Sequence, residues 1–428
     1  MRAQDRQMKV LFLIQWYPSR HSANINCDDK IMQALLHRGD EVHCLADSSW
    51  GAAREETVNG VRVHRFFSGF WYKLHTLSRD HPSCWTYRPM EMLNRLILRF
   101  KQVLTAPIYP FYDPIICLRF AHAALRLQKK ESFDFIVAEY NGNPSLYAGY
   151  RVKKSFPETP FLPILWDPLT GKIPARYLPR SFAQRRLRLQ EKLLLSRADA
   201  IACMRSSRAY HQANSTGKSY YPKMRFLDIP GIEPPRPSSV PAPLLRKDAI
   251  NVVFAGVLSL PDRDPTPILR ILNRTALVER LHVLFLCTGS GRDKVETMRS
   301  EFRGELTIHG YLSGEELKAV YQGADLLLNL GGPNPSMVPS KIFTYLSYGK
   351  PILSTYYIDG ESSQSYLDCY ENALCVDLRA DPAENARAVE AFLRARLGTV
   401  VPFETVSKQF PENTAGAFTD LIDSIKGC

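Results

Sequence analysis

Two cations stand out for the loops they occupy: Arg263 in FAGVLSLPDRDP and Lys341 in NPSMVPSKIFTYLSYGKPIL. Each loop is rich in small residues and follows an apolar, strand-like run. A guanidinium and an ammonium so placed can hold an anion and stabilise charge that develops on a leaving phosphate. The stretch from Asn334 to Leu353 reads as loop, helix and strand, with Ile342, Phe343 and Leu346 giving the helix one apolar face. Its first amides would add partial positive charge beside Lys341, so this segment is expected to hold a diphosphate. Plainer readings stand beside this one. Arg263 could pair with Asp262 or Asp264, Lys341 could be a solvated lysine, and Gly289 and Gly291 in CTGSGRD read as turn formers.

Such loops need a scaffold that brings them to one edge. Strand-like runs alternate with helical stretches throughout: KVLFLI, EVHCLA, VRVHRF, FDFIVAE, PFLPILW and AIACM, then NVVFAG, LHVLFLC, LTIHG, DLLLNL, KPILST and NALCVD. This pattern predicts α/β architecture, with parallel sheets covered by helices and ligands bound beyond the carboxyl ends of the strands. At 428 residues the chain should form two domains. The expected boundaries are a first domain over 1–230, a Pro-rich linker over 231–248, a second domain over 249–400, and a helical segment over 401–428 that could cross back to the first. Glu139, Tyr140 and Asn141 after FDFIVA, and Asp167 after FLPILW, sit at predicted strand ends, where a carboxylate could orient or deprotonate a hydroxyl. The alternative is that Glu139 and Asp167 cap the next helices.

Composition narrows the classes. The nine cysteines form no CxxC pair and the ten histidines show no HxH or HExxH spacing, so neither a zinc site nor a disulfide framework is expected. The apolar run near Val10 is too short for a secretory signal, and a cytoplasmic protein is expected. Charge is uneven: residues 1–250 hold 38 Lys and Arg against 21 Asp and Glu, and residues 251–428 hold 17 against 22. Two stretches account for much of the basic half. Phe70 to Tyr112 mixes aromatics, cations and an apolar face, and Lys172 to Leu195 carries seven Lys and Arg. Such segments suit the headgroup layer of an anionic membrane, the alternative being solvated helix faces. No recognised nucleic-acid motif accompanies the cations, and nucleic-acid binding is not expected.

The order FAGVLSLPDRDPTPILRIL, HVLFLCTGSGRD, LTIHGYLSGEELKAVYQGADLLLNL and PSKIFTYLSYGKPIL resembles the donor-binding domain of GT-B glycosyltransferases, in particular family 4-like retaining enzymes of bacterial surface-glycan type. The resemblance covers about Asn251 to Asp377 and implies two Rossmann-like, doubly wound domains facing a cleft. It implies a retaining, hexosyl-type transferase that moves a sugar from a nucleotide-sugar to a glycan or lipid-linked acceptor at the inner membrane face, with no cofactor and no metal. Carried over residue by residue, Gly256 is similar to the glycine that lets the sugar nucleotide approach the backbone. Arg263, with Lys341 beside it, resembles the basic residue on the diphosphate. Gly310, Tyr311 and Leu312 match the loop flanking the base, and Pro339 and Ser340 the loop around the diphosphate.

This chain departs from the family pattern in two places. Ser336 and Thr344 stand where many members carry two glutamates, and QWYPSRHSANIN replaces a glycine pair after the first strand. A hydroxyl lacks the bidentate geometry of a carboxylate, so fewer ribose contacts are expected. Glu139, Asn141 and Asp167 remain the acceptor-side candidates. Two other readings stay open: a catalytically silent GT-B protein acting as a membrane-associated assembly partner, and a GT-B nucleotide-sugar epimerase.

Overall fold

A computed structural model describes residues 7–18, 23–48, 53–71, 74, 85–140, 142–171, 178–333 and 338–426. The chain divides into two units, Met1–Pro230 with Ala415–Cys428, and Gly231–Thr414.

The first unit is built on an eight-stranded sheet in the order β3-β4-β2-β1-β5-β6-β7-β8. The strands are β1 Lys9–Leu13, β2 Glu41–Asp47, β3 Glu55–Val58, β4 Val61–Phe66, β5 Phe135–Glu139, β6 Phe161–Leu165, β7 Ile201–Met204 and β8 Met224–Leu227. All pair in parallel except β3, which pairs antiparallel to β4 at the edge. Successive side chains of a strand point to opposite faces, and here both faces are apolar. Val10, Phe12, Val42 and Val137 pack under the helix Ala23–His37, through Ile31 and Leu35. Leu11, Leu13 and Ile136 pack under the helices Pro114–Glu131 and Asn143–Ser155, through Phe120 and Leu146. The C-terminal helix Gly416–Lys426 joins the first of these layers, with Phe418 and Ile422 in the core and Arg38 paired to Asp423 at 2.6 Å.

The second unit carries six parallel strands in the order β11-β10-β9-β12-β13-β14. These are β9 Ile250–Val257, β10 Leu281–Thr288, β11 Glu305–His309, β12 Leu326–Leu330, β13 Ile352–Tyr356 and β14 Ala373–Asp377. Residues 231–248 form neither helix nor strand and group with this unit. Ser238 N donates to Gln322, and Arg246 pairs with Glu305. In both units the chain starts in mid-sheet, builds outward on one side, then returns to build on the other. The strands β1 and β5, and likewise β9 and β12, therefore meet where the order reverses, and their carboxyl ends open a crevice.

At the amino end of β9, Asn251 is a buried junction. Its Oδ1 accepts from Arg246 N at 2.9 Å and its Nδ2 donates to Arg246 O at 2.9 Å, while Asp325 Oδ2 accepts from Asn251 N at 2.7 Å. His282 Nδ1 donates to the same Oδ1, leaving Nε2 to accept from the Thr307 hydroxyl, and burial pushes the imidazole pKa down. Asn251→Ala strands several of these buried groups. It should lower stability by about 1–3 kcal/mol in denaturant unfolding, whereas an unchanged midpoint would remove this junction from the account of the fold.

Candidate functional site

In the second unit β9 outruns its neighbour. It pairs with β10 up to Val257 but with β12 only at Val252 and Val253. The N–H and C=O of Ala255 are therefore bonded by side chains instead of a strand. Ala255 N donates to the Tyr345 hydroxyl at 3.3 Å, and Lys341 Nζ donates to Ala255 O. Both partners belong to the helix Lys341–Ser347, which buries Ile342, Phe343 and Leu346, with Phe343 against Tyr366 and Gly231. That helix is seven residues long and has no side-chain cap from Ser340, so the positive end expected there is short.

Gly256 lies directly beside the Lys341 ammonium. A Cβ at this position would lie 2.7 Å from Lys341 Nζ, so the missing side chain gives the ammonium room in this arrangement. Lys341 as a whole is exposed, yet its ammonium is tucked against Ala255 and Gly256. Desolvation first and the nearby Arg263 charge second push its pKa down to about 8.

Arg263 is set by the loop after β9. Its N–H donates to Ser259 O at 2.8 Å, and Leu260 N donates to Ser290 Oγ at 3.0 Å, so the loop rests on the GSG turn. Gly289 has φ +102, and a Cβ there would meet Leu258 O at 2.4 Å, which accounts for that glycine as a turn former. The neighbouring carboxylates do not claim the guanidinium. Asp264 Oδ1 accepts from Thr266 N at 2.8 Å, and among the described residues Arg263 forms no ion pair within 4 Å. Arg263 lines a cavity of about 210 Å³ with Asp262, Gly331, Thr355 and Tyr357, at the carboxyl ends of the central strands.

The remaining donor-side candidates are spread more widely. Pro339, Ser340 and Thr344 are half-buried in the loop and helix that carry Lys341. Gly310, Tyr311 and Leu312 follow β11 at the far edge of the sheet, where Tyr311 is 84% exposed. Ser336 lies outside the described residues, as does Asn141 in the first unit.

In the first unit Glu139 ends β5 fully buried. Burial pushes its carboxyl pKa up to about 8, and Asn24 offsets this in part without a hydrogen bond of ordinary geometry. Asp28, on the buried face of the helix Ala23–His37, is also raised, by burial first and then by Glu139. Its Oδ1 accepts from Trp166 Nε1 at 3.2 Å. Two carboxyls sharing one dry site cannot both ionise, so the pair retains a proton at neutral pH. Asp167 is exposed beside Tyr140, whose phenol pKa is raised by burial and then by that charge. Among the described residues no three His, Cys, Asp or Glu side chains are grouped as a metal site requires.

Sequence reasoning missed Asp28 and Tyr345. The signal for Asp28 was present, since an acid at helical spacing from Ile25, Ile31 and Leu35 falls on the apolar stripe. Nothing in the sequence marks Tyr345, because its hydroxyl is required only where β9 and β12 part before Ala255.

No protein-family model matches the chain, and no curated protein sequence matches it. Solved structures do. One is described as trehalose-6-phosphate from E. coli bound with UDP-2-fluoro glucose, at TM-score 0.60 and 11% identity over 98% of this chain and 99% of that one. Another is the catalytic domain of starch synthase IV from Arabidopsis thaliana bound to ADP and acarbose, at 0.55 and 10%, with 99% of each chain covered. A third is the lipopolysaccharide outer core galactosyltransferase WaaB, at 0.52 and 12%, covering 97% of this chain and 99% of that one. These likenesses, with the two parallel sheets of eight and six strands, show that the chain has the GT-B fold.

Proposed function

We propose that this chain is a glycosyltransferase that moves a sugar from a nucleotide-sugar to a glycan or lipid-linked acceptor with retention of configuration. The observation that carries this reading is the Arg263 guanidinium, paired with no described carboxylate, in a cavity of about 210 Å³ at the carboxyl ends of the central strands, with Lys341 near enough to feel its charge. Two cations that repel each other are stabilised together by an anion between them, and a diphosphate supplies it. As the bond from the sugar to the diphosphate breaks, the departing oxygens gain negative charge. A guanidinium fixed by its loop stabilises that charge without reorganising. The nucleotides bound by the structural neighbours, UDP-2-fluoro glucose and ADP, support the donor class. In this reading the donor sits in the second unit and the acceptor in the first, where the Glu139 and Asp28 pair holds a proton close to the strand ends.

A membrane-facing acceptor is supported by the helix Tyr87–Leu104. None of its residues is buried. Met92, Leu93, Leu96, Phe100, Val103 and Leu104 are exposed, and their spacing places them on one stripe flanked by Arg88, Arg95 and Arg99. Among the described residues no helix is long and apolar enough to cross a membrane, so the stripe is read as lying in the headgroup layer. A position at the cytoplasmic face belongs to the proposal through the resemblance to surface-glycan transferases.

Arg263→Ala should lower turnover at least tenfold, about 1.4 kcal/mol in barrier, with an unchanged melting temperature. Nucleoside diphosphate affinity, measured by calorimetry, should fall as pH rises through about 8, where Lys341 loses its proton, and Lys341→Met should flatten that profile. Wild-type turnover in the arginine variant would sink the assignment. Tight nucleotide binding without turnover on any acceptor would favour the silent assembly partner.

Glu139 yields a stability profile of definite sign. Between its ordinary 4.5 and about 8 the folded chain binds more protons than the unfolded one, so stability should fall as pH rises through that window. Glu139→Gln should flatten the fall and be the more stable protein at pH 8 in thermal melts. A steeper slope in the variant would contradict the buried neutral acid.

Sedimentation with vesicles tests the membrane reading. Binding should be stronger to acidic than to neutral lipid and weaken with salt. Leu96→Glu with Phe100→Glu should remove the salt-resistant part, and Arg185→Glu with Arg188→Glu the salt-sensitive part. Arg186 is left in place because its Nε donates to Tyr109 O at 3.1 Å and holds the fold. Binding indifferent to lipid charge, salt and all four substitutions would leave the stripe without a membrane role.

A further inference from the structure

The first unit contains a cavity of about 590 Å³ at the carboxyl ends of β1, β4 and β5. Gln15 and Trp16 follow β1 into it, Ser68 and Gly69 follow β4, and Tyr140 and Gly142 follow β5. Its outer wall is the helix Tyr87–Leu104, which turns Asn94, Ile97 and Lys101 inward while its apolar stripe faces out. The size is that of a small-molecule site.

Two features of the lining define an occupant. Most of it is apolar, including Ile97, Leu98, Ile115, Ile116 and Leu187. Yet Gln190 also lines the cavity, only 3% exposed, with neither its amide nitrogen nor its carbonyl oxygen hydrogen-bonded. The Ser68 hydroxyl, 4% exposed, is likewise unbonded. Buried amides without partners are rare because leaving them so costs stability, and such exceptions belong to sites that a polar ligand or water completes. The charged groups at the wall are already engaged: Lys101 pairs with Asp113, and Arg119 Nη1 donates to Ser68 O. The cavity therefore offers mainly hydrocarbon contact and neutral hydrogen bonds, with the Arg119 cation tied back to a backbone carbonyl at its wall.

We infer that this cavity binds an amphiphile, the hydroxylated head and first hydrocarbon segment of a lipid-linked acceptor, with Gln190 as its polar anchor. This rests on the reading that the first unit takes the acceptor. A hydroxyl of the head accepts from the Gln190 amide and donates to its carbonyl, and the chain runs along Ile97 and Ile116. The helix Tyr87–Leu104 buries none of its residues, so a chain leaving the cavity passes to the apolar stripe that faces the bilayer.

Octyl glucoside below its micellar concentration is a suitable probe, read by the fluorescence of Trp16 and Trp71 in the lining and by equilibrium dialysis. Saturable binding is expected, with none for glucose alone. Gln190→Leu should weaken it at least tenfold while leaving the melting temperature unchanged or higher, because leucine fills similar volume without stranded polar atoms. Ile97→Trp, on the half-exposed outer wall, should block the cavity without touching the core. Absence of saturable binding, or equal affinity in wild type and both variants, overturns the inference. Gln190→Leu should sediment with vesicles as wild type does, which separates the cavity from the membrane surface. A chain that binds octyl glucoside but no nucleoside diphosphate would fail the transferase reading and leave the cavity standing.

Discussion

The unpaired edge of β9 is the constraint on which the second unit is organised. Beyond Val253 β12 no longer pairs with β9, although it runs on to Leu330 beside β13, so Ala255 finds its partners elsewhere. Tyr345 and Lys341 supply them, and in doing so fix the helix that carries them. The same event draws an ammonium to the carboxyl end of the central strand, within reach of the Arg263 charge. The position of this ammonium is thus a by-product of satisfying backbone groups where the strand order reverses. Gly256 leaves room for the same lysine, since a Cβ there would come within 2.7 Å of its ammonium and displace it.

The first unit meets the corresponding reversal with acids instead. Glu139 ends β5 and Asp28 rises from the helix Ala23–His37 behind it, both in an environment that holds them partly protonated. Each unit thus sets opposite chemistry at an equivalent point of its sheet.

The outer parts of the first unit spend stability on surface that a purely structural protein would bury. The helix Tyr87–Leu104 leaves a continuous apolar stripe in solvent, and the cavity behind it leaves Gln190 without hydrogen bonds. Exposed stripes of this length mark interaction surfaces. Their coincidence with the unbonded amide ties the membrane reading to a specific place in the fold.

Much of the architecture was legible in the sequence, and the reason is local. All twelve strand-like runs became strands, because apolar runs bounded by polar turns specify a buried strand wherever both faces of a sheet are covered. The two unread strands, β3 and β8, are short edge elements with little apolar pattern. Arg263 and Lys341 were visible as cations in loops after strands, which is also a sequence-level property. What only the tertiary structure decided is who touches whom across large separations. Lys341 meets Ala255 and Gly256, Asp28 meets Trp166 and Glu139, and Gln190 faces Ser68 and Ile97 across a cavity. Periodicity tells which face of an element is buried; it cannot tell which partner the other element presents, because that depends on strand order and on where neighbouring strands part.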